Sequence, residues 1–343
     1  MNEHARRPVA TLDTPSTDAA LGVVLHQAVE AAARAPSIFN TQPWRWRLQD
    51  QQLELRADRA RQLTGTDPHG RMLIVSCGVA LDHALVALAA SGCWARVERF
   101  PDENDPGLLA RIVPTGAYEP TAADGQLLRA ITERRTDRRP FADTPVPTGT
   151  IDRLRRMVES RSVYLAEVDA DSLVEFQVIA ARAGELDQSD PAYQAELARW
   201  THRLDETKDG VVGTGTVSQT RRRIPLRAFF PDGGDRLLPG PGQDRGARYL
   251  VLWSTADDAE AWLAAGEAMS AILLDTTVAG LGASPMSDVI EAPISRTLMH
   301  GLLGHLGHAH IVLRIGMPAT AHPIPATPRR AVDDLTTVDP GRA

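Results

Sequence analysis

Apolar residues recur along this chain in two rhythms. Returns every three or four positions predict helices over 19–35, about 70–91, 124–134, 150–159, 171–184, 257–280 and 292–304. Short runs bounded by turn residues predict strands at 44–48, 51–56, near 94–100, 109–113, 248–254 and 310–316. From about 200 to 245 neither rhythm persists, and glycines and arginines punctuate the stretch instead. So long an irregular segment inside a compact domain is uncommon unless it has a function, such as a lid over a site.

The pattern reads twice. In the helix over 70–91, Gly78 and Gly92 bracket thirteen residues, and in the helix over 257–280 Gly266 and Gly280 do the same. Leu81, Leu85 and Leu88 then align with Met269, Leu273 and Thr276, and each second glycine is able to close its helix with positive φ. Glycine is an ordinary helix stop, so this match alone does not establish a duplication.

Composition bounds the rest. A chain of 343 residues, 43% hydrophobic and 24% charged, is long enough for two domains or one large duplicated core. Its net charge of −7 argues against a broad nucleic-acid footprint, yet arginines cluster at 134–139, 221–223 and 329–330, which suggests discrete anion sites. Cys77 and Cys93 cannot make a disulfide framework, and Cys77 is expected to be a buried small hydrophobe. The polar N-terminus and the lack of an uninterrupted apolar run of about 18 residues set the expectation of a cytoplasmic protein without a membrane span. Residues 1–18 and 331–343 are expected to be tails, flexible or draped over the surface.

The candidate chemistry begins at Ala35-Pro36-Ser37-Ile38-Phe39-Asn40-Thr41-Gln42-Pro43-Trp44, where two prolines force a rigid, extended loop that presents hydroxyl and amide groups. This string resembles the flavin-contacting loop of the FMN-dependent nitroreductase family. Glu133-Arg134-Arg135-Thr136-Asp137-Arg138-Arg139-Pro140-Phe141 resembles the family's R-R-S-x-R-x-F, and Gly280 to Asp288 resembles its G-x-x-x-x-P-x-E-G, with Ser287 and Asp288 standing where Glu and Gly are common. Thr327-Pro328-Arg329-Arg330 is similar to its terminal basic contacts. The loop occurs only in the first half and the basic stretch only in the second, so the chain resembles the single-chain, duplicated Acg-type branch over most of residues 19–330.

That resemblance implies an α+β, nitroreductase-like fold duplicated in one chain as a pseudo-dimer, with central antiparallel-type sheets flanked by helices. The halves would be 19–120 and 121–330, the second carrying a lid at about 200–245. It implies one FMN per chain in a monomer, with Pro36 and Ser37 along the ribityl side and Asn40 and Gln42 as amide contacts. Arg134, Arg135, Thr136 and Arg138 would meet the phosphate, ribityl chain and ring edge; Pro285, Met286, Ser287 and Asp288 would approach N5; Arg329 and Arg330 would add charge. Arginine suits a buried phosphate because its planar fork stays protonated and bonds bidentately. The activity implied is hydride transfer from NAD(P)H through FMN to a nitroaromatic, quinone or similar acceptor. The alternative is a lid-closed protein that stores or sequesters FMN with little turnover. No catalytic acid is named by the sequence. His300, His305, His308 and His310 straddle a helix end without an adjoining acidic or thiol ligand and read as a helix-end and surface group instead of a metal site.

Overall fold

A computed structural model describes residues 18–203, 205–218 and 222–338. The tail expected before residue 18 and Arg221 of the middle arginine run lie outside the described residues.

The first half contains α1 (Asp18–Ala32), β1 (Trp44–Gln49), β2 (Gln52–Ala57), α2 (Arg71–Ala90), β3 (Cys93–Arg99) and β4 (Leu108–Ala117). Then come α3 (Ala122–Glu133), α4 (Thr150–Glu159), β5 (Tyr164–Glu167), α5 (Leu173–Ser189) and α6 (Pro191–Thr201). After a long, mostly irregular segment the chain forms β6 (Arg248–Ser254), α7 (Ala259–Val278), β7 (Gly282–Met286), α8 (Asp288–Glu291), α9 (Pro293–Leu302), β8 (His308–Gly316), α10 (Val332–Leu335) and β9 (Thr336–Val338). The periodic helices and most strands stand where the sequence rhythm puts them.

Strand order supports the duplication. One sheet runs β3-β4-β2-β1-β9 and the other β7-β8-β6-β5. Matching β3 with β7, β4 with β8, β2 with β6 and β1 with β5 gives the same order, and every one of those pairings is antiparallel. The helix between the second and third strands of each half, α2 or α7, fills the centre. They pack on each other through the two glycines that begin the repeated spacing. A Cβ on Gly78 would lie 2.9 Å from the Gly266 Cα, and one on Gly266 would lie 2.8 Å from the Gly78 Cα, so neither position has room for a side chain. Buried leucines, valines and alanines of both helices join Trp44, Trp46 and the inward faces of both sheets in one continuous core. That burial accounts for α2, the one described helix long and apolar enough to cross a membrane by composition; most of its length lies inside the protein. Cys77 is fully buried on it, donating to the Pro43 carbonyl at 3.4 Å.

Besides β5, α6 and α8, which the sequence rhythm did not predict, further parts of the chain depart from the sequence reading. The segment 282–286 is a strand, at the edge of its sheet, where Pro285 costs no ladder hydrogen bond. Residues 332–338, read as tail, form α10 and then β9, which pairs in parallel with β1 and so ties the C-terminal arm to the first half. His310, read as a surface residue, is buried and bonded to Ser254 at 2.7 Å, whereas His300, His305 and His308 pack their rings together at the end of α9.

Candidate functional site

The polypeptide reaches the site through a strained loop. After α1 the chain cannot remain helical into Pro36, and Phe39, Asn40 and Gln42 all take positive φ, at 46°, 54° and 49°. Such conformations cost on the order of 1–3 kcal/mol each and persist only when their surroundings hold them. The holding groups are visible. Ser37 Oγ accepts from the Gln42 amide at 2.9 Å, and Ser76 Oγ of α2 accepts from the Ile38 amide at 3.2 Å. Asn40 Nδ2 donates to the carbonyls of Gly210 and Pro328, while its Oδ1 accepts from Arg329 at 3.0 Å. Gln42 Nε2 donates to the Lys208 carbonyl, and its Oε1 accepts from the Arg330 amide at 2.9 Å.

Asn40 and Gln42 therefore do not line the cleft that the loop borders. Their amides are taken up in fastening three pieces together: the loop, the irregular segment at 208–210 and the C-terminal arm at 328–330. Sequence reasoning saw two polar side chains able to meet a ligand; it had no access to the two segments that meet them first.

The cleft itself lies between the loop, α2, β7 and the irregular segment. Pro36, Ser37, Thr136, Arg138, Pro285, Met286, Ser287 and Asp288, all singled out from sequence, come together on its walls. Backbone pairing explains the meeting: Thr136 bridges Ala283 and the Asp137 amide donates to the Ala283 carbonyl at 2.9 Å, which lays the basic stretch along the outer edge of β7. Residues the sequence did not point to complete it. Met72 and Val75 of α2, Met269 of α7 and Ile311 of β8 make an apolar wall, and Leu226, Arg227 and Phe229 of the irregular segment close over it. That segment is packed, not loose: Phe39 meets Phe229 and Tyr193 edge-on within a second apolar cluster that includes Leu197 and Trp200. Its glycines, read as hinges, include one that serves close packing, for a Cβ on Gly213 would overlap the Gly234 carbonyl.

Beside the cleft lies a group of arginines that form no ion pair with a carboxylate among the described residues. Arg134 is buried, touches Thr136 Oγ1 at 3.4 Å, and is lowered to about 9 by burial and by Arg329, Arg135 and Arg138. Arg329 is lowered to about 10 by burial, then by Arg135 and Arg34. Arg138 is lowered to about 10, again by burial first and then by Arg227 and Arg314. His83, on α2, is fully buried and depressed to about 3 by burial and by Arg134 and Arg329, so it stays neutral here. Among the described residues, the buried Nε atoms of Arg134, Arg135 and Arg329 and one terminal nitrogen of Arg330 have no hydrogen-bond partner. Several desolvated guanidinium groups with spare donors cost free energy that an anion would offset.

The scaffold of the basic stretch was not legible. Arg314 of β8, with no exposed surface, donates to the Asp137 and Arg139 carbonyls, pairs with Asp244 and stacks on Phe141 at 4.1 Å. Its one signal in sequence is a lone arginine inside the apolar run His310-Ile311-Val312-Leu313-Arg314-Ile315.

On the opposite rim, Asp288 at the start of α8 stands near Glu291, Asp187 of α5 and Arg227. Arg227 pairs with Glu291 at 2.6 Å and reaches Asp187 at 3.8 Å. Burial pushes Asp187 up to about 7, and burial also raises Asp288 and Glu291, against the pull of Arg227.

No family model matches the chain. Among curated proteins it is similar to one of Mycobacterium tuberculosis named as an NAD(P)H nitroreductase, acg, at 38% identity over 318 residues, 91% of this chain and 95% of that one. A second protein of the same organism, likewise named as an NAD(P)H nitroreductase, is 39% identical over 306 residues, 89% of this chain and 88% of its own length. Solved structures similar to it include a nitroreductase from Anabaena variabilis (11% identity, 90% of each chain, TM-score 0.48). Another is the FMN-dependent nitroreductase NfnB of Mycobacterium smegmatis in complex with NADPH (15% identity, 64% of this chain and all of that one, TM-score 0.41). The extent and level of identity to the two mycobacterial proteins, together with the doubled sheet built around Gly78 and Gly266, establish that the chain belongs to the Acg-type branch of the nitroreductase superfamily.

Proposed function

We propose that this protein holds one FMN per polypeptide and passes electrons from NAD(P)H to a small acceptor such as a nitroaromatic or a quinone. The observation that carries this reading is the group of desolvated arginines with unpartnered Nε atoms beside an apolar cleft. A phosphate brings about two negative charges and several acceptor oxygens, which is what Arg134, Arg135 and Arg329 lack. Those three would hold the phosphate, Thr136, Arg138, Pro36 and Ser37 the chain leading from it, and Met72, Val75 and Met269 would face the ring.

Bound FMN supplies reversible hydride chemistry; the protein supplies position and environment. Leu226 and Phe229 exclude water from the cleft, and Arg138, fixed by its bond to the Gly215 carbonyl at 2.9 Å, keeps a positive charge at the cleft wall. Charge that develops on a bound group during reduction is stabilised by such a fixed cation without reorganisation.

A second reading has its own observation in favour. The segment that roofs the cleft is latched by Asn40 and Gln42 and packed through Phe229, so the protein can also act as a store of FMN with slow turnover. Flavin absorbance against protein mass tests the first proposal, with one FMN per chain expected and none or two refuting it. Anaerobic stopped-flow mixing with NADH or NADPH, followed by an acceptor, then separates the two: bleaching and recovery within seconds support the oxidoreductase, and bleaching over hours supports the store.

A further inference from the structure

Two cavities meet at Asp288. The cleft described above lies on one side; on the other is an outer cavity between α5, α6 and the roofing segment, lined by Asp187, Gln188, Tyr193 and Pro231. Leu226, Arg227 and Asp288 line both. Asp288 thus stands between the cleft wall and the outer cavity, and Glu291 and Asp187 gather with it around Arg227 as a string of carboxyls. Glu291 Oε1 is buried without a hydrogen-bond partner among the described residues, whereas Asp187 is half-buried and held by Tyr193 and Arg227.

We propose that Asp288 donates the proton that accompanies hydride transfer to the acceptor, and that Glu291 and Asp187, held by Arg227, return a proton to it from the outer cavity. This inference rests on the flavin-dependent reading above. An acceptor that takes a hydride originating in NAD(P)H needs one more proton to complete a two-electron reduction. For a quinone, the O–H bond of the Asp288 carboxyl breaks, a bond forms to the carbonyl oxygen, and a hydroquinone results. For a nitro group, the same proton goes to a nitro oxygen, and water leaves with formation of the nitroso product. The carboxylate left behind then takes a proton from Glu291, and that group from Asp187 and water.

The charges facing the string allow it to hold a proton at neutral pH. Three carboxyls surround one guanidinium, that of Arg227 from the roofing segment. Asp67, ahead of α2, adds a further acidic group raised to about 6 by burial, and Tyr193 of α6 contributes no positive charge. Of the other cations, Arg71 of α2 is engaged by Asp257 and Arg296 of α9 donates to the Ile290 and Glu291 carbonyls. With one close cation for three carboxylates, like-charge repulsion and desolvation both favour the protonated form. Because these groups titrate together, the string has macroscopic steps and not three independent ones.

The test uses the flavin-loaded and flavin-free protein side by side. Infrared difference spectra between pH 4 and pH 8 should show the carbonyl-stretch band of a protonated carboxylic acid persisting above pH 6 in wild type, with or without flavin. In the loaded protein, reduced chemically and then mixed with a quinone, oxidation should slow as pH rises through the value at which that band disappears, and should show a solvent deuterium isotope effect. Asp288→Asn should cut that rate about a hundredfold, as removal of a general acid does, and abolish the pH dependence. Asp187→Asn should leave the first turnover intact and slow the following ones. A chain that binds no flavin overturns both this inference and the functional reading. A loaded protein with no protonated-carboxyl band above pH 6, or with an unaltered pH profile in Asp288→Asn, overturns the proton donor alone. Should Asp288→Asn not fold, the wild-type isotope effect on flavin oxidation decides the matter, its absence being the refuting result.

Discussion

In the second half β7 runs out into Ser287 and Asp288 beside an open cleft; in the first half β3 runs out into Arg99, which is tied across to the other half by Glu267. The offset that lays Gly78 on Gly266 also lays Arg99 on Ser287 and Asp82 on Ser270. Arg99 is clamped by both oxygens of Glu267 from α7, at 2.8 and 2.6 Å, and Asp82 of α2 is bonded by Arg161, which follows α4, at 3.3 Å. Where the first half sends the long Pro36 to Pro43 loop from its helix to its strand, the second connects α4 to β5 by a short turn at 160–163. The matching position thus borders a cleft in one half and carries an ion-paired arginine, here called the plug, in the other.

The largest effect should come from the contact both halves share. Gly266→Val drives a side chain into the Val75 carbonyl and the Gly78 Cα, and overpacking of this kind costs about 3 kcal/mol or more. Urea denaturation should show a lower midpoint for the whole molecule, with both sheets lost together; retention of wild-type stability would mean that the halves do not lean on this crossing.

Breaking the plug should cost somewhat less. Arg99→Ala strands Glu267, whose side chain is 4% exposed, whereas Arg99 itself is 42% exposed and partly screened, so about 2–3 kcal/mol is expected at neutral pH. The sign of the pH dependence follows from Glu267. Burial raises it above its ordinary value even against the pull of Arg99, so the folded protein binds the proton more tightly than the unfolded chain does. Its contribution is fully present below the ordinary carboxyl range and is lost as pH rises through the folded value. Removing Arg99 raises that value further, and the loss should therefore shrink in acid. Thermal melts from pH 4 to pH 8 check this; equal destabilisation at both ends would show that the pair acts by packing alone. Replacing both partners by Leu should restore stability without creating a second flavin site.

On the open side, Arg134→Ala should weaken FMN binding tenfold to a hundredfold, the equivalent of about 1.5–3 kcal/mol for a charge-assisted bond. The flavin-free variant should be no less stable than wild type, because one desolvated cation has been removed. Fluorescence titration and thermal melts of the flavin-free protein read the two effects separately, and a destabilised flavin-free variant would place Arg134 in the scaffold instead of the site.

The smallest effect concerns the latch. Asn40→Ala removes bonds to Gly210, Pro328 and Arg329 and places Ala at positive φ, for about 1–2 kcal/mol confined to one region. Limited proteolysis near 205–218 should accelerate while the global melting temperature changes little. Unchanged cleavage would show that packing through Phe229 alone holds the roof.

The amphipathic helices, most strands and the repeated glycine spacing were legible in the sequence because each depends on residues within a turn or two of one another. So were the short strings around Ser37, Thr136, Pro285 and Asp288, which the fold brings to one cleft. The bonds that Asn40 and Gln42 make to 208–210 and 328–330 were not legible, because what an amide bonds depends on which distant segments arrive beside it. The plug at Arg99 escaped for the same reason: an arginine at the end of a strand looks solvated until Glu267 is brought across from the other half.

What the sequence determined by itself is therefore local and periodic: a doubled α+β scaffold, a strained proline-bounded loop and runs of arginine with anion chemistry. Tertiary structure alone decided that the C-terminal arm would cross to β1, that the roofing segment would be latched to the loop, and that Arg99 would meet Glu267 of the other half. Each of those outcomes sets a polar or charged group against a partner more than a hundred residues away, and desolvation makes the outcome depend on that partner's arrival and not on the group's own identity.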